Sequence, residues 1–266
     1  MSVNLQELHE ELLVLMTRFH QICVENGIQY SLHAGTLLGA VREKGFIPWD
    51  DDVDLTLTRT EFEKLKKVLQ NGDFGPEIAY DETSRYPRFV MKREGKPVVW
   101  ADIFIYDYIS QNKYARKLKL MIIYFFVLFC RTKEDQRLSN IHGLYHGPKK
   151  WVMNFIVALG NLFPLPFRLK LATWSMQLFP GKRTHIHRSN DQYRAIKLTL
   201  PKEVMDSYEN IDFLGQQLMV STRWHDILVN AYGESYMTPR KDKPEEMHAL
   251  AFETEQKFFI DTYFSK

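Results

Sequence analysis

The segment Trp49-Asp50-Asp51-Asp52-Val53-Asp54-Leu55-Thr56-Leu57 sets four carboxylates beside an alternating apolar row. Along a strand, successive side chains point to opposite faces. Val53, Leu55 and Leu57 are therefore expected in a core. Asp50, Asp52, Asp54 and Thr56 are expected on the opposite face, with Asp50 at the loop boundary and Asp51 directed away from the set. Carboxylates held side by side repel and raise one another's pKa unless a cation neutralises them. The row thus predicts a site for Mg²⁺ or Mn²⁺, hard ions that take oxygen ligands. Two other readings fit the same residues. A run of acids is commonly a solvated loop, which the apolar row opposes. An EF-hand loop matches Asp50, Asp52, Asp54 and Glu61, but its sixth position, which requires Gly, is Leu55.

Two further features raise the specificity of the pattern. Asp102 interrupts the apolar strand Val98-Val99-Trp100-Ala101-Asp102-Ile103-Phe104-Ile105-Tyr106, where an ionised acid is costly unless it is paired or metal-bound. Upstream, Gly35-Thr36-Leu37-Leu38-Gly39-Ala40-Val41-Arg42 reads as a glycine turn entering a short helix. Backbone N–H groups at such a helix start can hold a phosphate. Gly35 would let the phosphate approach, and Thr36 would donate its hydroxyl. Arg42, nearly two turns on, would reach a phosphate or pin the acidic loop through a bidentate pair. The predicted catalytic set is Asp52, Asp54 and Asp102. The metal set adds Asp50, and the substrate-binding set is Gly35, Thr36, Arg42 and Trp49.

The rest of the chain supplies the frame. Leu5, Leu8, Leu12, Leu15, Phe19, Ile22 and Cys23 recur at helical steps, predicting an amphipathic helix over 4–26 that Asn26-Gly27 stops. A short strand, Ile28-Gln29-Tyr30-Ser31-Leu32, follows. Thr60 and Glu63 form a predicted capping box for the helix that Asn71-Gly72 ends. Residues 86–93 and 97–106 are strand candidates. From 112 to 181 the texture changes to apolar segments at 120–130, 151–163 and 171–179, each flanked by basic residues and read as helical. Helices are also expected at 223–233 and over the tail from Glu245 to Phe264. The expected fold class is α+β: a mixed sheet with flanking helices, plus a helical subdomain rich in basic and apolar residues. The expected organisation is a catalytic core over 1–110, the helical subdomain over 111–190, and a C-terminal part over 191–266 that packs back on the core.

Charge is distributed unevenly. Residues 111–190 contain fourteen Lys or Arg against two acids, Glu134 and Asp135, in a chain whose total is only +2. The apolar run Leu120–Cys130 has eleven residues, well short of the ~20 a spanning helix needs. It is either a buried helix of the subdomain or a helix lying in the membrane interface. In the second case Lys113, Lys117, Lys119, Arg131 and Lys133 would sit near anionic headgroups. Long aliphatic runs disfavour nucleic acid as the partner. Cys23 and Cys130 match no disulfide framework or zinc spacing, so a reducing compartment fits. The polar, acidic N-terminus is neither a secretory signal nor a transit peptide. The expected location is cytoplasmic, with peripheral contact at the inner face of the cytoplasmic membrane.

The stretch LHAGTLLGAVREKGFIPWDDDVDLTL, within Tyr30 to Leu57, closely resembles the signature of the LicD family, the phosphorylcholine transferase and fukutin-like branch of the nucleotidyltransferase superfamily. WADIFIYD at 100–107 resembles the family's second block, which carries the third Asp, and YGESYMTP at 232–239 a block near its C-terminus. Glu43 stands where many members have His, and Ile105 where many have Pro. After Tyr236-Met237 only Thr238-Pro239-Arg240 follows, where a proline-richer stretch is usual. The resemblance implies metal-dependent transfer of a phospho-substituent such as phosphocholine from a CDP-linked donor. The acceptor would be a hydroxyl of a lipid-linked or polymeric cell-surface glycan, or of a teichoic-acid-type precursor. Two rival enzymes share the site: a nucleotidyltransferase and a D-x-D glycosyltransferase. A non-catalytic binding module is opposed by the retention of Asp52, Asp54 and Asp102.

Overall fold

The computed structural model describes residues 5–82, 86–132, 148–178, 182–191 and 195–238. Among these the chain divides into two compact units. One is built from residues 5–82, 86–106 and 200–238, the other from described residues between 107 and 199.

The first unit opens with α1 (Leu5–Glu25), whose buried stripe of Leu8, Leu12, Leu15, Met16, Phe19, Ile22 and Cys23 follows the helical period. Gly27, at φ +61, turns the chain out of it. β1 (Ser31–Leu32) is shorter than predicted and leads to α2 (Ala34–Arg42). β2 (Val53–Thr58) and α3 (Arg59–Asn71) follow. The cap of α3 lies two residues before the predicted one. The Thr58 side chain accepts from the Glu61 N–H, while the Glu61 carboxylate accepts from the Gln29 N–H at 3.0 Å and from Lys64 at 2.8 Å. β3 (Ile78–Asp81), β4 (Arg88–Arg93) and β5 (Lys96–Ile109) complete a mixed sheet in the order β1-β2-β5-β4-β3. β2 and β5 are parallel, and the other pairs along this path are antiparallel.

One face of this sheet is apolar. Val53, Leu55, Leu57, Phe89, Ala101, Ile103 and Ile105 are all buried, and Phe19 of α1 meets Phe89 edge-on at 5.2 Å. Beyond β7 (Leu200–Pro201), the hairpin of β8 (Tyr208–Phe213) and β9 (Gln216–Ser221) and the helix α7 (Trp224–Tyr232) belong to the same unit. The Ser31 hydroxyl oxygen accepts from the Ser221 N–H at 3.1 Å and the Tyr30 hydroxyl oxygen from the Met219 N–H at 3.2 Å. β9 is thereby fixed beside β1. The hairpin turns at Leu214-Gly215, with φ +51 and +81, the left-handed pair a tight two-residue hairpin needs.

In the second unit, α4 (Lys113–Cys130), α5 (Pro148–Gly160) and α6 (Leu165–Gln177) are the described helices, and the strand β6 (His185–Arg188) follows them. Asn112 caps α4 by accepting from the N–H groups of Tyr114 and Ala115. Ile123 of α4, Ala172 and Met176 of α6, and Ile196 form its apolar centre. Three of its cations act inside the protein. Lys119 is buried and donates to the Tyr108 carbonyl at 2.5 Å, so its predicted place at a membrane surface is corrected. Arg168 donates to the carbonyls of Phe129, Cys130 and Arg131, at the end of α4 where a cation meets the negative pole of the helix. Arg188 pairs with Asp191 at 2.6 Å.

Among the described residues no single helix is long and apolar enough to cross a membrane. The predicted tail helix over 245–264 and Lys133 lie outside the described residues.

His187 of β6 is fully buried. Its Nδ1 lies 3.0 Å from the Ile196 carbonyl oxygen, and its Nε2 has no hydrogen-bond partner. Burial first, and nearby Lys119 second, lower its pKa from 6.5 to about 4. The unfolded chain therefore binds a proton below pH 6.5 that the native unit refuses until about pH 4. His187 contributes its full stability above 6.5, and up to about 3 kcal/mol is lost as pH falls toward 4. Urea titrations should show this acid slope in the wild type and a flatter one in His187→Gln.

Candidate active site

The parallel register of β2 and β5 sets Asp54 directly beside Asp102, with Val53 beside Ala101 and Thr56 beside Phe104. Neighbouring strands lie about 4.8 Å apart, so two carboxylates share one face of the sheet in adjacent rows. A third strand adds the counter-charge. Arg88 of β4 is paired with Asp102, and its Nε donates to Asp102 Oδ1 at 2.7 Å. This pairing depends on a bulge. Lys92 faces Pro97 but Met91 faces Val99, so Val98 is an extra residue on β5 that shifts the register by one. Without the shift Arg88 would stand opposite Ala101, and its side chain would serve a different row. The Arg88 guanidinium also lies 4.9 Å from the centre of the Trp100 ring. Asp102 is 19% exposed. Burial pushes its carboxyl above the usual carboxylate range and nearby Asp81 adds to this, while Arg88 opposes both.

The acidic run before β2 departs from the predicted alternation. β2 begins at Val53, and Asp50, Asp51 and Asp52 lie in the preceding loop, where side chains need not alternate. Their ligand atoms come within 4.8 Å of one another. Asp51 is therefore a member of the cluster and is buried, while Asp52 is exposed. Two carboxylate groups result: Asp50, Asp51 and Asp52 in the loop, and Asp54 with Asp102 on the sheet. The all-oxygen, all-anionic donor set suits Mg²⁺ or Mn²⁺ in its chemistry.

α2 places these groups. It starts from His33, in extended geometry, and Ala34, at φ +44. Gly35 thus lies inside the first turn of the helix rather than in a turn before it. The space above Gly35, predicted for a phosphate, holds the Asp50 carboxylate: a Cβ at Gly35 would collide with Asp50 Oδ2 and lie 3.2 Å from its Cγ. Thr36 is 1% exposed, and its Oγ1 accepts from the Asp54 N–H at 2.9 Å. Its role in the structure is to position Asp54. The His33 N–H donates to the Asp54 carbonyl at 2.9 Å. Arg42 pairs with its neighbour Glu43 at 2.6 Å. Trp49 is half-buried in the acidic loop.

Several contributors carry no local sequence signal. His9 of α1 brings Nε2 within 2.7 Å of the Asp50 carbonyl oxygen and stacks on Phe46 at 4.4 Å. Phe46 meets Phe213 edge-on at 4.8 Å. The Leu214 N–H donates to the Lys44 carbonyl at 2.8 Å, and the Leu214 side chain covers Gly45. The 43–50 segment is thus gripped from α1 and from the tip of the β8–β9 hairpin. Phe104, on the carboxylate face, lies between the rings of His33 and Tyr86 at 5.5 and 5.3 Å.

Comparison with known proteins finds relatives over the same stretch. Residues 27–129 match the family model for the LicD/FKTN/FKRP nucleotidyltransferase domain. The lipopolysaccharide cholinephosphotransferase LicD of Haemophilus influenzae is 26% identical over 93% of this chain and 97% of its own length. An uncharacterised Rickettsia prowazekii protein is 30% identical over 35% of this chain and 38% of its own.

The two glycines of α2 should separate site from scaffold. A methyl at Gly35 meets only the end of the Asp50 side chain, which can swing away. A methyl at Gly39 meets the Gly45 carbonyl and the Ile47 N–H, which cannot. Gly39→Ala should cost roughly 1–3 kcal/mol in chemical denaturation. Gly35→Ala should melt near the wild type yet weaken Mg²⁺ or Mn²⁺ binding in calorimetry. Sheet register, acidic loop and family match coincide over one stretch: residues 27–129 are similar to the nucleotidyltransferase domain of the LicD family.

Proposed function

We propose that the chain is a LicD-like phosphotransferase. It moves phosphocholine, or a similar phospho-substituent, from a CDP-linked donor to a hydroxyl of a cell-surface glycan or teichoic-acid-type precursor, and releases CMP. The observation that carries this reading is the pairing of Asp54 with Asp102 on adjacent parallel strands, beside the Asp50–Asp52 cluster. The full-length likeness to the Haemophilus influenzae cholinephosphotransferase supports it.

In the reaction the acceptor oxygen forms a bond to the phosphorus that carries the headgroup. The P–O bond to the nucleotide breaks, and CMP leaves with the electron pair. Asp50, Asp52, Asp54 and Asp102 are the residues that would hold Mg²⁺ or Mn²⁺, with Asp51 at hand, and the ion would neutralise charge on the diphosphate. Asp102 would complete that site or, left unligated, draw the proton from the acceptor hydroxyl. Arg88 would hold Asp102 in place and keep its charge balanced in the resting site. Thr36 and His33 would fix the backbone at Asp54, and His9 would fix it at Asp50. The second unit, with its basic and apolar helices, would rest against an anionic membrane.

The family model's description as a nucleotidyltransferase domain favours one alternative, transfer of the nucleoside monophosphate itself. Mass spectrometry of the products decides between them. CMP with a phosphocholine-bearing acceptor supports the proposal, pyrophosphate supports nucleotidyl transfer, and an intact nucleoside diphosphate supports glycosyl transfer.

Asp52→Asn, Asp54→Asn and Asp102→Asn should each lower turnover by about a hundredfold or more without loss of the cooperative melt. Because Asp51 belongs to the loop cluster, Asp51→Asn should fall with them. Wild-type turnover in Asp51→Asn would remove that residue from the site.

A further inference from the structure

The helices of the second unit are apolar on both sides, which one packed core does not require. Within the unit, Ile123, Ala172 and Met176 form the buried side. On the outside of α4, Tyr114, Leu118, Met121 and Phe125 recur at four-, three- and four-residue steps, and all are exposed. This is a second amphipathic stripe on a helix whose other side is already buried. A run of ring contacts, Trp174–Phe126–Phe125–Phe129–Phe163–Phe167, with centroids 5.2 to 6.3 Å apart, links α4 to the α5–α6 turn and α6. Its members Phe125, Phe163, Phe167 and Trp174 reach the surface. α5 adds Trp151 at 80% exposure and Phe155 at 69%. Exposed apolar surface on this scale marks an interaction site.

Charge selects the occupant. Exposed Lys113, Lys117 and Lys170 accompany these rings, and among the described residues of 111–190 there is no acid. A second copy of the chain would set two cationic faces against each other. A bilayer with anionic headgroups takes both the cations and the rings, and Trp and Tyr favour the headgroup level of a membrane. The bend of 119° between α5 and α6 suits helices that lie on a surface more than one that runs through it.

We infer that the aromatic face of α4, α5 and α6 inserts into the interface of an anionic membrane, with Trp151 and Trp174 in the acyl boundary and Lys113, Lys117 and Lys170 at the headgroups. This rests on the peripheral placement proposed above and deepens it by naming the inserted side chains.

The test uses the full chain with vesicles of phosphatidylcholine alone or mixed with phosphatidylglycerol, some carrying brominated acyl chains. The wild type should sediment with the anionic vesicles, and its fluorescence should be quenched by the brominated chains. The quenching should disappear in Trp151→Phe/Trp174→Phe, although Trp49, Trp100 and Trp224 remain. Changing Lys113, Lys117 and Lys170 to Gln should weaken binding about a hundredfold at low salt and little at high salt. Trp151→Ser/Phe155→Ser should weaken it by about tenfold at both. Sedimentation with undiminished fluorescence would overturn the insertion and leave peripheral binding standing. No sedimentation even at low salt would overturn both, and phosphotransfer to a soluble acceptor would still report on the enzyme separately. A dimer in solution that Trp151→Ser/Phe155→Ser dissolves would assign the face to a second copy instead.

Discussion

Val98, the extra residue in the β4–β5 hairpin, decides which side chains face the carboxylates. Side chains alternate along a strand, so a shift of one residue exchanges the two faces of everything beyond it. The shift falls between Met91 and Lys92, and Arg88 then stands opposite Asp102 rather than Ala101. Pro97 sits beside the bulge, in the kind of irregular position where a strand tolerates proline. The parallel pairing of β2 with β5 carries the same register across to Asp54. One local irregularity therefore aligns Arg88, Asp102 and Asp54 in a row across three strands. The backbone of that row is held from the other side by the Thr36 hydroxyl and the His33 N–H at Asp54. Each such bond is worth only about 1 kcal/mol net. Together they leave β2 little freedom to slide.

Features that repeat along the chain were legible in the sequence. The stripe of α1 and the alternation of Val53, Leu55 and Leu57 follow directly from periodicity, and the structure buries both. The apolar segments after residue 112 are helical as read. Features fixed by distant contacts were not legible. The spacing of Asp50, Asp52 and Asp54 invites a strand, but pairing with β1 begins only at Leu32–Leu55 and with β5 at Val53. The acids before Val53 thus have no ladder to impose alternation. The β8–β9 hairpin escaped notice because its turn is Leu214-Gly215 rather than Asn-Gly. Leu214 accepts the left-handed conformation while its side chain covers Gly45 and its N–H meets Lys44. His9 and Arg88 are ordinary polar residues in sequence, and their roles depend on partners 41 and 14 residues away.

The same limit applies to charge. Lys and Arg between 111 and 190 read as a uniformly cationic surface, yet Lys119, Arg168 and Arg188 are buried against carbonyls or a carboxylate. Composition counts charges but does not say which way each one faces. Arg168 shows what a buried cation does here: three carbonyls at the end of α4 converge on one guanidinium nitrogen. A neutral side chain would take that donor from all three, although the Arg131 carbonyl would keep the Asn161 amide at 3.1 Å, and any group left unsatisfied costs roughly 1–3 kcal/mol. Gly160 allows the end of α5 to approach the same place, since any Cβ there would strike the Phe129 carbonyl. Lys113, Lys117 and Lys170, which accompany the exposed rings, remain outside.

The electrostatics of the first unit follow from the crowding of acids. Asp102 has Arg88 as counter-charge, and burial still raises its pKa, so one guanidinium does not offset what desolvation and Asp81 impose. Asp54 lies in the neighbouring row, and the loop holds three more carboxylates with ligand atoms within 4.8 Å. A fold meets such crowding by protonating acids or by binding a cation. Protonation would leave Asp102 a poor base. A divalent ion would hold the neighbouring acids ionised and reverse the pressure on Asp102. Arg88 meanwhile stays anchored over the Trp100 ring at 4.9 Å, so its position does not rest on Asp102 alone.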